Sequence, residues 1–251
     1  MRCNSLQFNR FGTFRLKSVP ITSTHCHSLH EGRIFSKPVG GSDTSGLPPL
    51  RGRVGPHAAL RTLSGYGCGI DTRFDIRTVI RNDVLNRVAV DERERRSCLA
   101  FIEHLDVLHR PFSETANPVH VTGSAIVVGE RGVVLHLHKR MQKWLQPGGH
   151  IESGELPWDG ALREAFEETG LVVAYPPNGP ELVHVDVHPG PQGHTHLDLR
   201  YLLFASNVDP TPPPGESPDA RWFSWREAIE IADDGLIGAL RAVRGRFEDS
   251  R

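Results

Sequence analysis

The chain has 251 residues, of which 38% are hydrophobic and 24% charged, with a formal net charge of −1. That length admits one sizeable core or one domain with appendages, and the near-neutral balance excludes general electrostatic capture of nucleic acid or of an anionic membrane. No run of about 18 apolar residues occurs, so no segment reads as membrane-spanning, and no apolar secretory core follows Met1.

The charge is unevenly spread. Residues 1–70 hold nine Lys or Arg against two acids, Glu31 and Asp43, so this part is +7 and the remainder −8. Up to residue 77 no helical or strand periodicity is sustained, and Gly, Pro, Ser, Arg and His recur, as in residues 37–56. Such a composition cannot bury enough apolar surface to offset chain entropy, which predicts a disordered N-terminal extension. It reads as an over-extended gene start or, second, as an organelle transit peptide, being Arg- and Ser-rich and acid-poor. Arginines here are not interleaved with aromatics, so the basic segment is a weak nucleic-acid signal. Cys3, Cys26, Cys68 and Cys98 are scattered, which is no disulfide framework and fits a reducing cytoplasm. His25, Cys26 and His27 sit together in the extension and read as incidental.

Residues 78–248 read as one α/β domain. Asp91 with Glu94 three residues on predicts a helix start; Leu99, Phe101, Ile102, Leu105 and Leu108 keep helical spacing and Pro111 closes it, giving a helix over about 91–110. Lying before the first strand, it is expected to pack outside the sheet or to prepare a homodimer contact. Residues 120–128 (HVTGSAIVV) and 133–138 (VVLHLH) predict two strands joined by a hairpin-type turn at 129–132. After 143–149 (KWLQPGG), Pro157 suits a first helical position and Gly170 a C′ glycine. Residues 182–188 and 196–204 alternate as two further strands, 210–218 is a Pro-rich loop, and 220–223 a short strand. Ser224 with Glu227 forms a capping box for a helix to about Ala232, and residues 235–243 make a last helix.

Residues 149–171 (GHIESGELPWDGALREAFEETGL) carry the chemistry. On a helical wheel Glu164, Glu167 and Glu168 share roughly a quarter of the circumference, with Trp158, Leu162, Ala165, Phe166 and Thr169 opposite as a core-facing side. Like charges at i,i+4 destabilise a helix, and a hard divalent cation removes that conflict while keeping waters for a phosphate substrate. The bland reading, a solvated charged face, competes with a magnesium–diphosphate site. The strand histidines His136 and His138, His184 and His188, His194 and His196 have spacings compatible with metal ligation, yet also suit the half-exposed face of a sheet; a substrate-contacting His from residues 194–196 is the favoured reading over a zinc site. Trp222 and Trp225 read as packing, whereas Trp144 serves equally to stack on a base or to close the core.

The order Gly149, five residues, Glu155, seven residues, then Arg163-Glu164-Ala165-x-Glu167-Glu168-x-Gly170-Leu171 resembles the Nudix box of the Nudix hydrolase superfamily, with Ala165 smaller than the usual Leu or Val. The resemblance covers about residues 115–232 and implies an α/β/α sandwich with a mixed β-sheet. It also implies Mg²⁺- or Mn²⁺-dependent hydrolysis of a nucleoside diphosphate linked to another group, or of a nucleoside triphosphate. By position, Glu164 and Glu168 would be metal ligands with the Gly148 carbonyl nearby, and Glu167 a third ligand or the base. Arg163 would orient the acids and Glu155 brace the loop. Many members place the base outside the box, and Glu216 in the Pro-rich loop is then a candidate. Two alternatives stand beside this. An isoprenoid-type diphosphate isomerase shares the fold but needs a reactive Cys, for which Cys98 is the domain's one candidate. A nucleotide-sensing regulator would bring a DNA-binding helix pair after the domain, for which few residues follow Val243.

Overall fold

A computed structural model of the chain describes residues 2–8, 14–20 and 75–248, and the chain divides into two units, residues 1–74 and 75–251. In the first, strands β1 (Arg2–Phe8) and β2 (Phe14–Pro20) pair antiparallel, with Arg2 opposite Pro20 and Phe8 opposite Phe14. The rest of the expected disordered extension, with His25, Cys26 and His27, lies outside the described residues.

The second unit opens on a helix that the periodicity did not announce, α1 (Ile76–Leu85). Asp75 caps it, accepting from the Arg77 N–H at 3.1 Å, and Ile80 and Val84 are its buried residues. Helix α2 (Glu92–Val107) starts as the sequence predicts, Asp91 accepting from the Glu94 N–H at 2.9 Å. Glu94 is itself buried and accepts from Arg87 at 2.7 Å and from the Val185 N–H at 3.2 Å, so a residue of the first helical turn also ties the helix to the sheet. Phe101 and Leu105 are fully buried, while Leu99 faces outward. The helix stops at Val107, short of the expected 110, because Leu108 is extended; the Arg77 guanidinium donates to the Leu105 carbonyl at 2.8 Å and so satisfies an end the helix cannot.

Eight strands form one mixed sheet: β3 (Val119–Gly129), β4 (Gly132–His138), β5 (Lys143–Leu145), β6 (Gly148–His150), β7 (Val173–Ala174), β8 (Leu182–Pro189), β9 (Thr195–Ala205) and β10 (Ala220–Phe223). The path runs β10-β4-β3-β9-β7, with β5 on β4, β6 on β3 and β8 on β9. The long central pair β3–β9 is parallel, and the other pairings are antiparallel. Helix α3 (Pro157–Thr169) crosses between β6 and β7, and α4 (Trp225–Ile231) and α5 (Asp234–Glu248) close the unit. The Ser224–Glu227 capping box is present, and α5 runs past the expected 243.

Side-chain alternation gives the two sheet faces opposite characters. Val121, Ala125 and Val127 of β3 and Leu197, Leu199, Tyr201 and Leu203 of β9 join Ile80, Phe101 and Leu105 of the first two helices and Ala161 and Ala165 of α3 in one core. On the other face the in-between residues are polar in the first half of each strand (His120, Thr122 and Ser124; His196, Asp198 and Arg200) and apolar beyond it (Ile126 and Val128; Leu202 and Phe204). Helix α5 reaches Asp186 and His184 of β8 through Gly235 and Gly238. Helices thus lie on both sides of a mixed sheet, an α/β/α fold.

Candidate active site

Helix α3 owes its position to spacing. Pro157, Ala161, Ala165 and Thr169 recur every four residues, and all are buried. Phe166, expected in the core, is 39% exposed because it stands about 100° round the helix from that line. The end is fixed at Gly170, with φ 68°, where a Cβ would come 2.1 Å from the Thr211 carbonyl oxygen; only glycine fits.

The acidic face is not solvated. Side-chain exposure is 17% at Glu164 and 15% at Glu168, against 49% at Glu167. Arg163 collects the acids. It donates to Glu155 twice, at 2.9 and 3.0 Å, to Glu164 at 2.8 Å, to Glu167 at 3.0 Å, and to the His150 carbonyl at 2.9 Å. These bonds, those to Glu155 foremost, hold its guanidinium further above its ordinary pKa. Glu155 also accepts from the Glu152 N–H at 2.9 Å, which braces the loop before the helix. Strand β6 lies against the face: a Cβ on Gly149 would fall 2.4 Å from Glu164 Oε1. The Gly148 N–H donates to Glu168 Oε2 at 2.9 Å.

Burial pushes the Glu168 carboxyl up to about 8, opposed by the Gly148 hydrogen bond and reinforced by Glu164, Glu216 and Glu167. Burial also raises Glu164, against the pull of Arg163. His136 Nε2 stands 3.5 Å from Glu168 Oε2, and burial lowers that imidazole to about 4. Near neutral pH this pair is therefore a neutral carboxyl beside a neutral imidazole, not an ion pair. Crowded carboxylates whose charged forms burial disfavours at Glu164 and Glu168 fit a hard cation, since the donor set is all oxygen and a divalent charge reverses both penalties. Glu216 is exposed on the loop after α3's neighbour Thr211, and its charge is felt at Glu168.

Other sequence-predicted residues divide. Trp222 is buried and donates to the Val208 carbonyl at 2.8 Å, and Trp225 lies beside Phe247, so both are packing residues. Trp144 is half-buried and packs edge-on to Phe223 with centroids 4.9 Å apart, and Arg221 lies 4.7 Å over its ring. Among the strand histidines, His136 and His184 are fully buried instead of half-exposed, because their strands are covered on both faces. Cys98 lies half-buried in α2; burial pushes its thiol up to about 11 and its charged neighbours are Glu94 and Arg87, so it is no reactive thiol at α3.

What sequence reading missed is the polar sheet face. Register aligns Thr122 with Asp198 and Asp186, and Ser124 with Arg200 and His184. Thr122 and Ser124 donate to Asp198 at 3.0 and 2.9 Å, and Arg200 donates to Asp198 at 2.8 Å and to the Gly235 carbonyl at 2.6 Å. Arg93 from α2 meets Asp186 through two bonds, at 2.9 and 3.1 Å. The signal was a polar residue at every second place in three strands.

A family model described as the NUDIX domain matches residues 118–242. A probable DHNTP pyrophosphohydrolase of Lactococcus lactis is 28% identical over 134 residues, covering 49% of this chain and 79% of the relative. An asymmetrical bis(5'-nucleosyl)-tetraphosphatase of Caenorhabditis elegans is 28% identical over 101 residues, covering 39% of this chain and 70% of the relative. Among solved structures, a NUDIX-family hydrolase from Clostridium perfringens is 31% identical, with 51% of this chain and 97% of that chain covered and a TM-score of 0.43.

Proposed function

The chain belongs to the NUDIX family and is a pyrophosphohydrolase of that type, and from this premise we propose that it cleaves the diphosphate linkage of a nucleoside diphosphate derivative or nucleoside triphosphate with Mg²⁺ or Mn²⁺. The observation that carries the reading is the buried face of Glu164 and Glu168, packed on the backbone of β6 and bounded by Arg163. Relatives named for pyrophosphohydrolase and dinucleoside-tetraphosphatase activities support the substrate class. The half-buried thiol of Cys98 suits a reducing compartment.

Glu164, Glu168 and Glu167, with the Gly148 carbonyl, would hold the cation. Bound there, such an ion would supply charge neutralisation of the diphosphate oxygens and a more acidic water. The chain's own residues do the rest. Arg163 fixes the rotamers of Glu164 and Glu167, so that those carboxylates need no reordering when substrate arrives. Glu167 gives one oxygen to Arg163, so part of its accepting capacity is already engaged. Glu216, exposed and within electrostatic reach of Glu168, then takes the proton from the attacking water.

The test is turnover. The purified chain, given Mg²⁺ and a panel of nucleoside triphosphates, nucleotide sugars and dinucleoside polyphosphates, is expected to release phosphate, diphosphate or a nucleoside monophosphate from at least one. Binding of a panel member with no hydrolysis at any Mg²⁺ concentration would instead make the chain a sensor.

A further inference from the structure

Five histidines meet at one end of the polar sheet face. The register sets His120 of β3 opposite His196 of β9, and His196 opposite His188 of β8, while His150 of β6 lies opposite Thr122, one diagonal step from His120. Ring centroids are 5.0 Å apart for His120–His150, 5.2 Å for His120–His196 and 5.4 Å for His150–His196. One ring nitrogen from each of these three lies within 4.8 Å of the other two. His194 flanks His120 at 5.1 Å, and His188 flanks His196 at 5.4 Å.

The rings are oriented from behind. His120 Nδ1 lies 3.1 Å from the Asn117 carbonyl, which as an acceptor fixes the proton on Nδ1 and leaves a lone pair on Nε2. His150 Nδ1 lies 2.7 Å from a Glu114 carboxylate oxygen, which does the same for that ring. A carboxylate or carbonyl behind an imidazole, present here for His120 and His150, is the arrangement that raises the basicity of a metal-ligating histidine and sets its tautomer. His120 Nε2 and His196 Nε2 are buried without a hydrogen-bond partner. Buried polar atoms left unpaired cost free energy and call for an explanation.

We infer that His120, His150 and His196 form a binding site for a borderline transition-metal ion, Zn²⁺ by preference, separate from the carboxylate face of α3. Imidazole nitrogens favour Zn²⁺ where carboxylate oxygens favour Mg²⁺. Three nitrogens about 2.0–2.1 Å from the ion leave a fourth tetrahedral position, open to water or to a flanking histidine. The rings close inward from their present spacing to reach it. The ion ties β6 to the two central strands. That matters for the neighbouring site: the carbonyl of His150 is the acceptor that Arg163 uses at 2.9 Å, and the other end of β6, Gly148, holds Glu168. The inference does not depend on the hydrolase reading.

The test uses the untagged full chain, stripped with chelator and then titrated with Co²⁺ and Zn²⁺ under saturating Mg²⁺, with heat, visible absorption and unfolding temperature recorded. One tight equivalent is expected, with the absorption of nitrogen-ligated Co²⁺ and a rise in unfolding temperature. His150→Gln changes a partly exposed side chain and should weaken binding at least about 100-fold while the chain stays folded by circular dichroism. His196→Gln should do likewise, and Glu168→Gln should leave Co²⁺ binding intact. A wild-type chain that takes up neither ion, or a folded His150→Gln variant that binds as tightly as wild type, overturns the proposal.

Discussion

The Gly148 N–H donates to the same Glu168 oxygen, Oε2, that His136 Nε2 approaches to 3.5 Å, so this carboxyl is held between a backbone dipole and a neutral ring. Its geometry is set by β6 and β4 as much as by the helix that carries it. Glu168→Gln keeps the shape and an acceptor for Gly148 but cannot ionise to meet a cation. Turnover at fixed Mg²⁺ should fall about 1,000-fold, since several kcal/mol of charge stabilisation converts at tenfold per ~1.4 kcal/mol. Circular dichroism and unfolding temperature should stay at wild-type values. A fully active variant would remove Glu168 from the cation site.

The raised Glu168 carboxyl makes the metal-free chain sensitive to pH. Its folded value, about 8, lies above the ordinary carboxylate value of about 4.3. Between those values the folded chain holds a proton that the unfolded chain has lost, so stability falls as pH rises through the window and the loss is complete above about 8. A divalent ion must displace that proton. Apparent Mg²⁺ affinity should therefore rise up to about tenfold per pH unit below 8 and level off above it. Calorimetric titrations in two buffers of different ionisation enthalpy would count the proton released. Glu168→Gln should flatten both dependences.

A Cβ on Gly149 would lie 2.4 Å from Glu164 Oε1 and 2.7 Å from its Cδ, a contact the carboxylate can relieve only by turning away. That turn breaks the 2.8 Å bond from Arg163. Gly149→Ala should cost about 10- to 100-fold in turnover through this displaced ligand. In a Glu164→Gln background the same change should cost much less, a non-additivity that a double-mutant cycle measures. Equal losses in both backgrounds would mean that the glycine matters for a reason other than Glu164.

Helix α3 was legible because its signals are local: Pro157 at the start, Gly170 at the end and a fixed order of acids, although its most buried line, Pro157, Ala161, Ala165 and Thr169, lies one position round from Trp158, Leu162 and Phe166. Burial of Glu164 and Glu168 was not, since the wheel places charges on one side without saying that β6 covers that side. The polar sheet face was half-legible. Alternation in residues 120–124, 184–188 and 196–200 announces polar faces, but strand partners far apart in sequence set the register that stacks His120 on His196 and Thr122 on Asp198. Helix α1 escaped for a similar reason. It buries few of its own residues, and its Arg77 works at the end of α2, a tertiary role that periodicity does not encode.

Glu167 and Glu216 compete for the role of base, and the structure treats them differently. Glu167 gives one oxygen to Arg163 at 3.0 Å, whereas Glu216 sits on the exposed loop that carries the Pro214–Glu216 bridge, within electrostatic range of Glu168. General-base catalysis contributes about 10²- to 10⁴-fold. Glu216→Gln should thus lower kcat by about 100-fold or more at saturating Mg²⁺, with the Mg²⁺ requirement unchanged. Glu167→Gln should do the reverse, raising the Mg²⁺ needed for half-maximal rate and leaving most of kcat when the ion saturates. Rate measurements across Mg²⁺ concentration separate the two. A Glu216→Gln variant with wild-type kcat would return the proton transfer to Glu167, and Arg163 would then be the residue that orients the base.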